Sequence, residues 1–192
     1  MCASRARALV GGDEAELVAR ARAGDARAYG ELVRAHRASA LRVATVVLGT
    51  AEGADDVVQQ AWERAWRGLA GFHPDRAFRP WLLHVVANTA RNDRRSRGRR
   101  AHLVARAGQV LGPGAEAGPS PEELVVTDLD RRRVVTALNR LRATDRLVIA
   151  LRYFEQLSER EMAEVLGRPP GTVKSRLARA LARLRVELEA DT

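Results

Sequence analysis

The segment from residue 157 to residue 188 constrains the fold most, because it carries start and stop signals for two consecutive helices. Ser158 and Glu161 have the spacing of a capping box, in which a serine hydroxyl and a glutamate carboxylate each satisfy one free backbone N–H group. Leu157 and Met162 stand where two apolar side chains would form a hydrophobic staple. A short helix is therefore predicted to begin directly after Ser158.

Gly167 is predicted to end that helix, and a second helix is predicted to begin at Thr172 after a tight turn. Apolar residues recur along it at helical spacing, at Val173, Leu177, Leu181, Leu184 and Leu188. The opposite side carries small and basic residues, namely Lys174, Ser175, Arg176, Ala178, Arg179, Ala182 and Arg183. Two such helices are typical of a helix-turn-helix, whose second helix enters the major groove of DNA. A helical hairpin without DNA contacts is the alternative.

The charge of the chain agrees with a polyanionic partner. The net charge is +9 at pH 7, and nearly all of the basic residues are arginines because Lys174 is the only lysine. Cys2 is the only cysteine, which excludes an internal disulfide and a zinc site built from several cysteines. No apolar run approaches the length of a membrane span and no secretory signal is recognisable, so a cytoplasmic protein is expected.

Glycine and proline divide the chain into two parts. They recur between residues 105 and 121, where apolar periodicity is weak, as in a flexible linker. We therefore predict an all-α protein of two small helical domains, at 13–104 and 122–192. A disordered tail at 1–12 is expected to precede them.

Three helices are predicted at the start of the N-terminal domain. Asp13 begins a short helix, Asp25 caps a longer helix that Gly49 closes, and a third helix spans 50–69. His36 lies on the apolar side of the second helix. We interpret it as a packed core residue, because no second histidine or cysteine stands at metal-ligand spacing.

The third of these helices has one apolar side and one polar side. The polar side carries Asp55, Asp56, Gln59, Gln60, Glu63, Arg64 and Arg67. The pair Asp55 and Asp56 raises the alternative of a Mg²⁺-dependent nuclease. Adjacent helical residues diverge by about 100°, so the two carboxylates do not easily share an ion. A solvated or protein-binding surface is the favoured interpretation.

A loop with an aromatic residue at each end, Phe72 and Phe78, precedes a fourth helix that begins near Pro80. One side of this helix is apolar and carries Leu82, Val85, Val86 and Thr89. The opposite side is polar and carries His84, Asn88, Arg91 and Arg95, with Trp81 and Asn92 at its margins. Amides read base edges, arginines hold phosphates, and an aromatic loop could stack on or cradle an unpaired base. The arginine-rich continuation at 94–100 therefore favours a nucleic-acid interface.

The C-terminal domain is predicted to hold four helices. The first spans residue 122 to about residue 141 and turns four residues inward, Val134, Val135, Leu138 and Leu141. Thr144 or Asp145 is expected to cap the second helix. Its inward residues are Leu147, Val148, Leu151 and Phe154. The helix-turn-helix supplies the other two helices.

Three stretches of the chain carry a resemblance to a known family. Residues 54–66, ADDVVQQAWERAW, resemble a helix that binds core RNA polymerase. Residues 72–95, with FRPWL at 78–82, resemble a loop and helix for a downstream promoter element. Residues 151–153, LRY, and 166–180, LGRPPGTVKSRLARA, resemble a helix-turn-helix for an upstream promoter element. In this order they resemble the bacterial sigma factors of the extracytoplasmic-function (ECF) group.

The resemblance implies a role for each polar surface. The implied polymerase-binding residues are Asp55, Asp56, Gln59, Gln60 and Arg64. The implied upstream-element residues are Arg152, Lys174, Ser175 and Arg179, on bases or backbone, with Thr172 and Arg176 on phosphates. The implied downstream-element residues are Phe72, Phe78, His84, Asn88, Arg91, Asn92 and Arg95. The loop 72–78 would take an unstacked base. The resemblance further implies core RNA polymerase and promoter DNA as partners, control by an anti-sigma factor, and neither enzymatic activity nor a cofactor or metal.

Two other classes of protein remain open from the residues alone. A two-domain transcription regulator would use the same helix-turn-helix without RNA polymerase. A nucleic-acid-processing enzyme would need a converging set of catalytic residues, and no such set is recognisable. The sigma-factor interpretation requires Asp55, His84 and Arg91 to face solvent.

Overall fold

The computed structural model describes residues 13–106 and 128–190, and side chains within 13–100 and 133–190. The described residues form eight α-helices, namely α1 Asp13–Arg22, α2 Ala26–Leu48, α3 Ala54–Gly68, α4 Phe78–Arg106, α5 Asp128–Arg140, α6 Ala143–Tyr153, α7 Glu159–Leu166 and α8 Pro170–Glu189. They contain one 3₁₀ turn at Leu69–Gly71 and no strand, which confirms the all-α class. The predicted tail at 1–12, and positions 107–121 of the predicted linker, lie outside the described residues. Positions 105 and 106 continue helix α4.

Helix α2 is the central element of the N-terminal domain and packs against α1, α3 and α4. Asp25 caps it as predicted, because its Oδ1 accepts hydrogen bonds from the N–H groups two and three residues ahead, at 2.9 and 3.1 Å. Gly49 ends it with a φ of 86°, a conformation that glycine adopts without strain. His36 is buried as predicted, and its Nε2 lies 2.6 Å from Oε1 of Glu14.

Helix α3 begins at Ala54 and not at Thr50, so the predicted start was wrong. Gly53 stands directly before the helix with a φ of 74°, a left-handed conformation that a right-handed helix does not contain. The hydroxyl of Thr50 accepts a hydrogen bond from the N–H of Glu52 at 3.1 Å and forms a local turn instead.

Helices α7 and α8 form the predicted helix-turn-helix. The backbone N–H of Ser158 donates to Oε2 of Glu161 at 2.8 Å, and the Ser158 Oγ accepts from the backbone N–H of Glu161 at 3.3 Å. This reciprocal pair confirms the capping box. Gly167 ends α7 in the left-handed conformation. Helix α8 begins at Pro170, two residues before the predicted Thr172, because the fixed φ of proline suits a first helical turn.

Two predictions about the other C-terminal helices were wrong. Neither Thr144 nor Asp145 caps α6, which follows Arg142 without a side-chain cap. Asp145 is instead buried and paired with Arg183 of α8. Phe154 follows the last residue of α6 and is 55% exposed, so it does not belong to the inward stripe.

The inward stripe of helix α5 also differs from the prediction. Val134 is 39% exposed, and Ala137 is fully buried in its place. Helix α5 packs against α8, so only a narrow part of its circumference is covered. Of its predicted range, residues 122–127 lie outside the described part of the chain.

The N-terminal domain, α1 to α4, and the C-terminal domain, α5 to α8, pack closely against each other. Helix α6 lies on α2 and α7 lies on α4, and the buried apolar residues of both domains form one cluster. Arg146 of α6 donates from Nε to the carbonyl of Val46 at 3.3 Å. A Cβ atom on Gly49 would lie 2.8 Å from the Arg146 guanidinium, so glycine permits this close approach. This closed arrangement decides which polar surfaces face solvent.

Candidate nucleic-acid and protein interfaces

The outer side of helix α8 presents a continuous polar surface to solvent. Four of its predicted contact residues are exposed and Arg176 is half-buried; the exposed ones are Thr172, Lys174, Ser175 and Arg179. The Ser175 hydroxyl donates to the carbonyl of Thr172 at 3.1 Å, and Arg179 Nε donates to the carbonyl of Ser175 at 3.2 Å. These hydrogen bonds hold the side chains along one side of the helix, and we call this set of five residues the α8 surface.

Arg152 stands at the end of α6, just before the helix-turn-helix. It is exposed, and its Nη1 donates to the carbonyl of Leu157 at 3.0 Å. This contact ties the guanidinium to the start of the helix-turn-helix and leaves its remaining N–H groups available.

The polar side of helix α4 is covered where the sequence predicted that it would face solvent. Nδ1 of His84 donates to the carbonyl of Val165 in α7 at 3.0 Å, and its Nε2 accepts from Nδ2 of Asn88 at 2.8 Å. The Oδ1 of Asn88 accepts from Arg91 at 2.7 Å. His84, Asn88 and Arg91 are half-buried as a result, and only Asn92 and Arg95 of the predicted residues on this helix are exposed. We call His84, Asn88, Arg91, Asn92 and Arg95 the α4 surface.

The prediction that His84 and Arg91 face solvent was therefore wrong for this closed form. The physical reason is that the cover comes from α7 of the other domain, not from the core of the N-terminal domain. Burial lowers the pKa of Arg91, and the nearby positive charges of Arg95 and Arg176 lower it further. Like charges of the two domains are thus crowded together at this contact.

The loop between the 3₁₀ turn and α4 borders a pocket of about 230 Å³. Phe72 and Phe78 line it, but both side chains are nearly fully buried, and their ring centroids lie 5.9 Å apart in an edge-to-face contact. Both rings also pack with Trp81, so little of their surface is left exposed for a base to stack on. Binding of an unstacked base by this loop stays a prediction. The pocket lies between this loop and helix α1, and Pro74 of the loop and Val18 of the helix both line it.

The polar side of helix α3 faces solvent. Its predicted contact residues are all exposed, namely Asp55, Asp56, Gln59, Gln60 and Arg64. Asp55 pairs with Arg37 at 3.3 Å, and Arg64 donates to the hydroxyl of Thr89 at 3.1 Å. Trp66 is 38% exposed on the same side and packs against Tyr29 in a tilted contact with ring centroids 4.7 Å apart. We call these residues, with Trp66, the α3 surface.

Four residues that the sequence analysis did not single out connect the domains. Glu155 lies between Arg42 and Arg79, and the Ser39 hydroxyl is beside Arg42 at 3.2 Å. No local pattern marks them, because 113 positions separate Arg42 from Glu155. Trp66 could have been found, because it follows Gln59 by seven residues and so lies on the same side of the helix.

Within the described ranges, no three histidine, cysteine, aspartate or glutamate residues are grouped as a metal ion would need. Among the helices that the structure describes, none is both long and apolar enough to span a membrane.

Each of the two domains matches a family of known proteins. The Sigma-70 region 2 family matches residues 32–100, and the Sigma-70, region 4 family matches residues 131–184. The RNA polymerase sigma factor CnrH of Cupriavidus metallidurans is 37% identical over 92% of this chain and 94% of its own length. The ECF RNA polymerase sigma-E factor of Escherichia coli is 33% identical over 85% of this chain and 88% of its own length.

Two solved structures are similar in fold as well. CnrH in complex with the cytosolic domain of CnrY aligns with a TM-score of 0.67 at 32% identity, over 93% of this chain and 99% of that chain. The sigma factor RpoE of Bartonella quintana, in complex with the anti-sigma factor NepR, aligns with a TM-score of 0.67 at 26% identity, over 85% and 98%. Relatives that match along nearly the whole chain decide against a simple regulator and against an enzyme. This chain belongs to the ECF group of RNA polymerase sigma factors, non-enzymatic proteins that act with core RNA polymerase to start transcription at promoters.

Proposed function

We propose that each of the three surfaces of this sigma factor binds a different target, namely the upstream promoter element, the downstream promoter element or core RNA polymerase. The observation that carries the proposal is that the α8 surface and the α3 surface face solvent on different domains. One chain can therefore hold DNA with one domain and core RNA polymerase with the other.

The α8 surface is proposed to read the upstream promoter element in the major groove. Lys174, Ser175 and Arg179 are exposed on one side of a helix whose other side packs on α5, α6 and α7. Together with Arg152 they would contact bases or backbone, while Thr172 and Arg176 hold phosphates. A bidentate arginine contact contributes about 1–3 kcal/mol to base discrimination, which is enough for a small number of residues to specify an element.

The α4 surface and the adjoining pocket are proposed to bind the downstream element. The amides of Asn88 and Asn92 suit base edges, and Arg91 and Arg95 suit phosphates. The pocket that Phe72 and Phe78 line, between the loop and helix α1, would take one unstacked base. Extruding a base costs a few kcal/mol, and contact with aromatic side chains returns about 1–3 kcal/mol. Phosphate neutralisation adds to this return, so local opening does not need ATP.

The α3 surface is proposed to bind core RNA polymerase. Asp55, Asp56, Gln59, Gln60 and Arg64 supply exposed polar groups, and Trp66 adds an apolar anchor of the kind that dominates binding energy at protein interfaces. Because this surface lies away from α6 and α7, it is available in the closed form.

An anti-sigma factor and a cytoplasmic site of action complete the proposal. The RpoE structure of Bartonella quintana contains the anti-sigma factor NepR, and a partner of that kind is proposed for this chain. RNA polymerase works in the bacterial cytoplasm, so the protein is proposed to act there.

Transcription with purified components tests these assignments. Core RNA polymerase with this protein should initiate at a promoter selected from random DNA, and neither component alone should do so. Asn88→Ala and Arg179→Ala should each lower initiation about tenfold, the equivalent of about 1.4 kcal/mol. Arg185→Ala removes the same charge from an exposed position further along α8 and serves as the control. Unchanged initiation in both test variants would refute the residue assignments.

A further inference from the structure

The carboxylate of Glu155 is the most deeply buried acidic group at the contact between the two domains. Its side chain is only 1% exposed, and it stands just after the end of helix α6. Arg42 of α2 donates from Nε to its Oε1 at 2.7 Å, and Arg79 of α4 donates to its Oε2. The hydroxyl of Ser39 lies within reach of Arg42 at 3.2 Å. Both carboxylate oxygens are therefore held by the opposite domain.

This arrangement exists only while the domains are closed. Glu155 comes from the C-terminal domain, whereas both arginines come from the N-terminal domain. Among the described residues, neither arginine pairs with another carboxylate. A buried carboxylate without partners is unfavourable, whereas one that accepts charge-assisted hydrogen bonds from two guanidinium groups is well satisfied. Glu155 thus links the burial of its charge to the closure of the chain.

Closure has a direct consequence for the α4 surface. In the closed form that holds Glu155, α7 lies on α4. The carbonyl of Val165 then accepts the hydrogen bond from Nδ1 of His84, and Glu164 pairs with Arg76 at 3.4 Å. Nucleic acid cannot reach the half-buried groups of His84 and Asn88 without displacing α7. The α8 surface on the same domain stays exposed except at the half-buried Arg176, so closure mainly withholds one of the two proposed DNA-binding surfaces.

A second set of charges opposes closure. Arg91, Arg94 and Arg95 of α4 lie near Arg168 and Arg176 of the helix-turn-helix, and their mutual repulsion acts on Arg91. Within the part of the chain that the structure describes, no carboxylate contacts Arg91 to offset this repulsion, and its hydrogen-bond partner is the amide of Asn88. The closed form is therefore a balance between one buried, well-partnered carboxylate and one crowded group of arginines.

We propose that Glu155, held by Arg42 and Arg79, is an intramolecular latch. It keeps the chain closed and the half-buried part of the α4 surface, His84, Asn88 and Arg91, covered until binding partners separate the domains. The identity of the covered surface as a promoter-binding surface rests on the proposed function, but the latch itself does not. Opening releases two arginines together with His84, Asn88 and Arg91 of the α4 surface, because all of them face the contact between the domains.

Solution scattering of the full-length protein tests the latch. The test variant is Glu155→Gln, which keeps the shape but places an amide NH₂ against a guanidinium. The control is Glu159→Gln, which makes the same chemical change at an exposed position of α7. A compact chain of 192 residues has a radius of gyration of about 16 Å. We expect Glu155→Gln to exceed the wild-type radius and Glu159→Gln to match it. The double variant Arg42→Gln/Arg79→Gln removes the same contact from the other domain and should expand likewise.

Binding of a random-sequence single strand of DNA tests the covered surface. If about 90% of the wild-type chain is closed, opening should tighten binding about tenfold in Glu155→Gln and leave Glu159→Gln unchanged. Circular dichroism should show wild-type helix content in every variant.

The outcomes separate the latch from the proposed function. We call Glu155→Gln and Arg42→Gln/Arg79→Gln the two latch variants. A wild-type radius of gyration in both latch variants would overturn the latch, whatever the protein does in transcription. Expansion without tighter DNA binding would overturn the claim that closure covers a nucleic-acid surface. Loss of helix content in both latch variants would mean that the contact supports folding, which also overturns the latch as a switch. Failure to initiate with core RNA polymerase, with the expansion intact, would refute only the proposed function.

Discussion

The α8 surface and the α4 surface have similar side chains but opposite environments. Both are basic helical surfaces with few carboxylates, and each lies on a helix whose other side is apolar. The α8 surface faces solvent, and its polar groups bond mainly to their own helix. The α4 surface is covered by α7, and its polar groups form a hydrogen-bonded chain that ends on Val165 of the other domain. The accessibility of a basic helix thus depends on what packs on it as much as on its own residues.

The largest expected effect comes from the core beneath the helix-turn-helix. Met162 is fully buried in α7, so Met162→Ala should lower the free energy of unfolding of the C-terminal domain by about 2–5 kcal/mol. Urea denaturation followed by circular dichroism measures this. Helix α7 packs on α8 and also covers α4. Unfolding of the C-terminal domain in this variant should therefore disrupt the α8 surface and expose the α4 surface.

Met162→Leu is the matched control, because it nearly conserves volume and should cost less than about 1.5 kcal/mol. If both variants were equally stable, α7 would not be anchored by this side chain, and the difference between the two surfaces would need another cause.

A smaller effect is expected at Arg152, whose guanidinium is tied to the start of the helix-turn-helix at the carbonyl of Leu157. Arg152→Ala should lose about 1–3 kcal/mol of discrimination between the correct and a mutated upstream element, if its guanidinium contacts a base. Binding of holoenzyme to the two promoters measures this difference.

Arg152→Lys keeps the charge but lacks the planar fork, so it should lose discrimination while retaining most of the salt dependence of binding. Should the lysine variant discriminate like the wild type, Arg152 contacts phosphate and not a base.

A still smaller effect is expected where α4 meets its cover. His84→Ala removes the hydrogen bond to Val165, and a bond of this kind contributes about 0.5–1.5 kcal/mol. Hydrogen exchange of the amides in α7 should therefore become about fivefold faster. Asn92→Ala, an exposed position on the same helix, should leave exchange unchanged. Equal exchange in both variants would show that apolar packing alone holds α7 on α4.

The smallest effect concerns pH. Burial alone would raise the pKa of Glu155, but the hydrogen bonds from Arg42 and Ser39 and the charges of both arginines outweigh burial, so the pKa lies below its ordinary value. A lowered pKa stabilises closure fully above the open-state pKa of about 4.3, and that contribution is lost as the pH falls through the closed-state pKa. The difference in scattering between wild type and Glu155→Gln should therefore stay constant from about pH 8 to about pH 5.5 and shrink only below about pH 4.5. A difference that already shrinks near neutral pH would contradict a charged Glu155.

Local signals predicted the helix-turn-helix closely. Ser158, Glu161 and Gly167 act within one or two turns of the chain, and their contacts are those the spacing indicated. The errors lie where a local signal competes with a distant partner. Asp145 has the chemistry of a cap, but it pairs with Arg183, 38 positions away. Phe72 and Phe78 have aromatic rings that could stack on a base, but both rings are buried in the core.

The sequence by itself determined the all-α class, the order of the helices, the caps of α2 and α7, and the three surfaces with their residue types. The reason is that helical period and capping depend on residues a few positions apart. Only the tertiary structure decided that the two domains close on each other, that α7 covers His84 and Asn88, and that Glu155 meets Arg42 and Arg79. The physical reason is that burial and ion pairing between domains depend on residues more than 70 positions apart, whose meeting no local pattern encodes.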